Sequence, residues 1–92
     1  MLARQITADP LRRTIEVAEG AFEVYRDSDL YMVGRKPDGQ LLGNFQVELT
    51  EKGRVLARAQ VVSQLGLGTL EEAHELLEVI GNAAIENGIA SA

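Results

Sequence analysis

An α+β fold is predicted from three observations. Apolar and polar residues alternate through most of the stretch from about residue 13 to residue 64, glycine-, proline- and aspartate-containing turns interrupt that alternation, and one long amphipathic helix closes the chain. Antiparallel hairpins in sequence order followed by a single helix give a four- to five-stranded antiparallel β-sheet, with the helix of residues 69–87 packed on one face. Ninety-two residues make one small domain, 1–92.

Residues 1–8 carry little pattern and are expected to form a loose arm. The segment from Asp9 to Gly20 supports two readings. Asp9-Pro10 resembles a helix cap followed by proline in the first turn, with Leu11, Ile15 and Ala18 on one face and Gly20 as a stop. That reading gives a short helix at 10–19 and an α-β-β-β-α order. Thr14-Ile15-Glu16-Val17-Ala18, however, alternates and includes β-branched residues, which favours a strand. A hairpin around Glu19-Gly20 would set Ile15 and Val17 beside Val24 and Phe22. It would also oppose Glu16 to Glu23 and Arg13 to Arg26, at some cost.

Phe22-Glu23-Val24-Tyr25-Arg26 alternates as a half-buried strand. Asp27-Ser28-Asp29 turns the chain into Leu30-Tyr31-Met32-Val33, and Pro37-Asp38-Gly39 is a second turn. Leu41 to Thr50 follows, with Phe45, Val47 and Leu49 on one side and Asn44, Gln46 and Glu48 on the other. After the loop Glu51-Lys52-Gly53-Arg54, Val55 to Gln64 returns as its partner. Val55, Ala57, Ala59 and Val61 share one face, and the small Ala57 and Ala59 would let a helix approach closely.

The helix is bounded at both ends. Thr69 stands at the cap position with Glu72 three residues on, the spacing of a capping box, and Gly88 after Asn87 suits a left-handed stop. Leu70, Ala73, Leu77, Ile80 and Ala84 recur at helical spacing beside Leu76, Gly81 and Ala83. The other face is acidic. Residues 1–58 hold nine basic and nine acidic side chains, whereas 59–92 hold five acidic and no basic ones, so the formal charge of −5 resides in Glu71, Glu72, Glu75, Glu78 and Glu86. Such a face keeps a domain soluble or docks a basic protein partner.

Composition restricts the chemistry. Apolar residues make up 46% of the chain, a globular proportion, and there is no cysteine for disulfides, thiol catalysis or thiolate zinc sites. No apolar run nears the roughly 20 residues of a membrane span. Met1-Leu2-Ala3-Arg4-Gln5 lacks the apolar core of a signal peptide, so a cytoplasmic location is expected. Ser28, Ser63, Ser91 and the single His74 form no nucleophile motif. Gly66-Leu67-Gly68 precedes a helix N-terminus but lacks the third glycine of a dinucleotide fingerprint and the lysine of a phosphate loop. Glu71 and His74 have the Glu-x-x-His spacing of carboxylate metal sites, which use it twice, and here it occurs once. No catalytic residue, metal or cofactor is therefore assigned.

On the helical reading of 10–19, Phe45-x-Val47-x-Leu49, Gly53-x-Val55-Leu56 and a closing helix with Ala73 resemble the double-stranded-RNA-binding domain over residues 10–87. The resemblance implies phosphate-contacting lysines at the start of the last helix, where this chain has Glu71 and Glu72. Nucleic-acid binding would then fall to the hairpin ends, through Arg35, Lys36, Lys52, Arg54 and Arg58. The leading expectation is instead a non-catalytic protein-interaction or assembly domain. A flat sheet of four or five strands is roughly 19–24 Å wide, against about 10–12 Å for one helix. The uncovered surface, with Tyr25, Leu56 and Val62 out of phase with the core, is expected to support a dimer through the sheet.

Overall fold

Arg12–Val17 forms a β-strand, β1, which decides between the two readings of the N-terminal segment. The structure, a computed structural model, describes residues 12–36 and 38–91. The expected arm of residues 1–8 lies outside them. The remaining strands are β2 (Gly20–Asp27), β3 (Leu30–Arg35), β4 (Leu41–Leu49) and β5 (Val55–Val61), followed by the helix α1 (Leu70–Glu86). Each strand pairs antiparallel with the next, in the order β1-β2-β3-β4-β5. The α-β-β-β-α order, and with it the likeness to the double-stranded-RNA-binding domain, does not hold, because a strand replaces its first helix.

The first hairpin turns one residue earlier than the sequence suggests. Ala18 and Glu19 alone make the turn, Val17 pairs with Gly20, and Gly20 adopts φ 138°, a conformation suited to glycine. The register therefore sits two residues from the expected one, which leaves every side chain on its expected face. The shift also removes both like-charge pairs. Glu16 now faces Ala21, Arg13 faces Val24, and Arg12 instead reaches Glu23 at 3.1 Å.

One sheet face carries the core. Ile15, Phe22, Val24, Tyr31, Val33, Phe45 and Ala57 are buried against Ala73, Leu76, Leu77, Ile80 and Ala84 of α1. Two glycines set how closely the layers meet. A Cβ on Gly81 would lie 2.5 Å from the Ala57 Cβ, and one on Gly43 would lie 2.5 Å from Leu77 Cδ1. Ala57 thus permits the close approach that its size suggests.

The flat-sheet estimate fails. Helix α1 packs on β5 and β4 and also reaches β1 at the opposite edge, so the twisted sheet curls about it. Leu65 and Leu67 from the preceding loop, and Ile89 and Ala90 after the helix, complete the cover. The Tyr31 hydroxyl accepts the Ser91 N–H at 3.2 Å and fixes that tail. Five large apolar side chains stay exposed, Leu49, Val55, Val62, Leu70 and Val79, and two of them stand out. Leu70, the first residue of α1, is 61% exposed beside β5, and Leu49 is 63% exposed where the β4–β5 hairpin projects past the helix. β5 ends at Val61, and Val62 and Ser63 both donate to the Leu42 carbonyl as the chain leaves the sheet.

The ends of α1 form as their residues dictate. Thr69 Oγ1 accepts the Glu72 N–H and Glu72 Oε1 accepts the Thr69 N–H, a complete capping box. At the other end Ile89 N–H bonds Ala84 O and Gly88 N–H bonds Ile85 O, with Gly88 at φ 73°. These two bonds define a Schellman stop.

Candidate functional site

The long open groove runs between the β5 edge and α1. Its wider half has a volume of about 580 Å³ and lies between Ala59–Val61 and the helix residues Leu70, Glu71, His74, Glu75 and Glu78. A second recess of about 380 Å³ continues along Arg54–Ala57 opposite Asn82, Ile85 and Glu86, and Glu78 borders both. The helix wall arises from sequence spacing: residues 71, 75, 78 and 82 recur every three or four positions and stack along one side of α1. Glu71, Glu75 and Glu86 are exposed and Glu78 half-exposed. No Lys or Arg occurs after Arg58 to offset them.

Two helix side chains reach down to the strand edge. Asn82 Oδ1 accepts the Ala57 N–H at 3.0 Å, and His74 Nε2 lies 3.2 Å from the Ala59 carbonyl. A carbonyl only accepts, so Nε2 carries the proton and donates it. On its other nitrogen His74 faces Glu78 at 3.6 Å, an ion pair when the ring holds both protons. Ala57 is 2% exposed, so its N–H would otherwise be buried without a partner. Asn82→Ala should therefore cost about 1–3 kcal/mol in chemical denaturation. Asn82→Asp, which keeps the acceptor, should recover most of that loss.

Glu72 belongs to the capping box rather than to the groove. The backbone N–H of Thr69, and then its hydroxyl, hold the Glu72 carboxyl below its ordinary range. Its contribution is present above the usual glutamate pKa and is lost as pH falls through the lowered value. The same carboxylate lies over Gly68, where an added Cβ would meet Glu72 Oε1 at 2.7 Å. An anion approaching this helix end would meet negative charge. Among the described residues, no three His, Asp or Glu side chains gather as metal ligands, and no serine bonds His74. The Ser63 hydroxyl instead accepts the Leu65 N–H at 3.3 Å.

The other residues singled out by sequence lie apart. Tyr25 is on the sheet face away from α1, with the Arg12 guanidinium 4.2 Å from its ring centroid. Tyr25, Met32, Asn44 and Gln60 form one cross-strand row. Leu56 lies three strands over from Tyr25 and four residues along from Gln60, about 20 Å away by strand spacing and rise. Val62 follows the end of β5 and is 56% exposed. Tyr25, Leu56 and Val62 therefore form no common patch.

The basic hairpin residues also divide. Arg35 and Lys36 follow β3, while Lys52 and Arg54 lie beyond the far end of β4, whose nine residues span roughly 27 Å. Arg35 bonds Asp38 and the Leu65 carbonyl, Lys36 bonds Thr14, and Arg58 pairs with Glu48 at 3.3 Å. The Arg35 contact holds the Asp38 carboxyl below its ordinary range, helped by the Gln40 N–H.

Asn82 is the residue that sequence reading missed. The available signal was Gly81-Asn82, two weak helix formers side by side in the middle of a long helix. The fold and groove define an α+β domain with a helix-walled sheet edge. Compared with protein-family models, curated proteins and solved structures, the chain matches none. Among the described residues, no helix is long and apolar enough to cross a membrane.

Proposed function

We propose that this chain is a non-catalytic protein-interaction domain whose α1–β5 groove receives a basic protein partner. The carrying observation is the groove's helix wall, where Glu71, Glu75 and Glu78 line a recess of about 580 Å³ with no cation among its lining residues. Aligned carboxylates in a concave surface attract a cationic segment and orient its approach. The probe is the heptapeptide acetyl-Lys-Thr-Lys-Thr-Lys-Thr-Lys-amide, followed by fluorescence anisotropy. Binding should weaken as salt rises and fall further in Glu75→Gln/Glu78→Gln. Equal binding of the Glu-Thr counterpart, or indifference to salt, would sink the reading.

The same double variant separates function from stability. Exposed like charges on one helix repel slightly, so its melting temperature should be unchanged or slightly raised. A large drop would mean that these carboxylates hold up the fold.

Self-association through the sheet belongs to the same reading, and the geometry favours the β1 edge. Across a two-fold axis at β5, two copies of the glutamate row would face each other. Sedimentation at tens of micromolar should give a dimer. A clean 10.0 kDa monomer would remove this part of the proposal and leave the groove untouched.

A further inference from the structure

We infer that the partner enters the groove as an added β-strand on the β5 edge, with His74 and Asn82 standing in for that strand in the free domain. This rests on the acidic-groove reading and specifies its geometry. In a strand, alternate residues turn their backbone groups to the same side. Ala57 directs its N–H to Asn82 and Ala59 its carbonyl to His74. Both therefore face away from β4, and by alternation so does Val61. Among the described residues, nothing bonds the Ala59 N–H or either backbone group of Val61, and all three border the wider half of the groove.

A paired strand would supply an acceptor at Ala57 N–H and a donor at Ala59 C=O. Asn82 and His74 supply those same functions from side chains. Asn82 is exposed and His74 half-exposed, so both can rotate outward while α1 stays packed through its opposite face. The occupied edge blocks casual pairing, a common protection of outer strands. The remaining free groups give an entering segment its first hydrogen bonds.

Charge selects the occupant. An extended segment projects alternate side chains to opposite faces. On one face they would meet Glu71, Glu75 and Glu78; on the other they would lie beside Arg58 and Gln60. The fitting segment has Lys or Arg at every second position and neutral polar residues between. β5 has seven residues, which sets a comparable length. A second copy entering with its own β5 would bring another glutamate row to the same wall, so a basic segment of a different protein is the occupant.

The test uses the full chain and the Lys-Thr heptapeptide, with two derivatives N-methylated either at every lysine or at every threonine. Strand addition directs only one of these sets of N–H groups at β5. One derivative should lose at least tenfold in affinity and the other should bind almost normally, while the Ala59 and Val61 amides gain protection from hydrogen exchange. His74→Ala, which uncovers the Ala59 carbonyl, should tighten binding about two- to tenfold. Salt-sensitive binding with no amide protection and equal tolerance of both methylations would overturn strand addition while sparing acidic docking. Unchanged or weaker binding by His74→Ala would overturn the stand-in role. No binding of the parent peptide at low salt would overturn both readings.

Discussion

Phe45→Ala should lose about 3–5 kcal/mol of stability, the largest effect expected from a single truncation here. Phe45 is fully buried, its ring stacks on Tyr31 with centroids 5.2 Å apart, and α1 crosses it at Gly81. Removing it leaves a cavity between the sheet and the only helix among the described residues. Leu77→Ala, also fully buried, should cost about 2–5 kcal/mol. Domains are stable by roughly 5–15 kcal/mol in total, so either variant should unfold at much lower urea concentration with little change in slope. Retention of full stability by either would mean that its element is turned away from the core.

Gly43→Ala and Gly81→Ala should both destabilise, although each adds only a methyl group. At Gly81 helix propensity favours alanine by about 1 kcal/mol, but the new Cβ would sit 2.5 Å from the Ala57 Cβ and 3.1 Å from the Phe45 ring. At Gly43 it would collide with the Gln60 carbonyl and Leu77 Cδ1. Backbone cannot swing aside as a side chain can, so Gly43→Ala should be the worse of the two, near about 3 kcal/mol, with Gly81→Ala costing about 1–2 kcal/mol net. Denaturation of the two variants side by side checks the order. A more stable Gly81→Ala would show that α1 can lift from β5 without loss, which contradicts the close packing of Gly81 on Ala57.

Much of this architecture is legible in local pattern. The alternation of Phe45, Val47 and Leu49, the small residues on β5 and the capped stripe of α1 each concern residues close in the chain. The first hairpin shows where such reading fails. Its faces were right, because a shift of two residues preserves them, but its partners were wrong. A two-residue turn at Ala18-Glu19 and relief from two like-charge pairs chose among registers that the hydrophobic pattern leaves equivalent.

The candidate site was legible only in half. Glutamates every three or four residues on a helix declare an acidic face, whatever that helix packs against. Nothing in the order of residues shows that β5 runs beside it, or that Asn82 caps Ala57 and His74 reaches Ala59 across 25 and 15 positions.

By itself, then, the sequence determined the α+β class, the helix and its caps, the inward residues of the central strands and the location of the charge. Those properties follow from periodicity and local hydrogen bonding within a few residues. Only the tertiary structure decided the register of β1, the curl that brings both edges of the sheet to one helix, the exposure of Leu70 and the groove at the β5 edge. Each depends on contacts between segments distant in the chain, where several arrangements satisfy the same local pattern and close packing selects one.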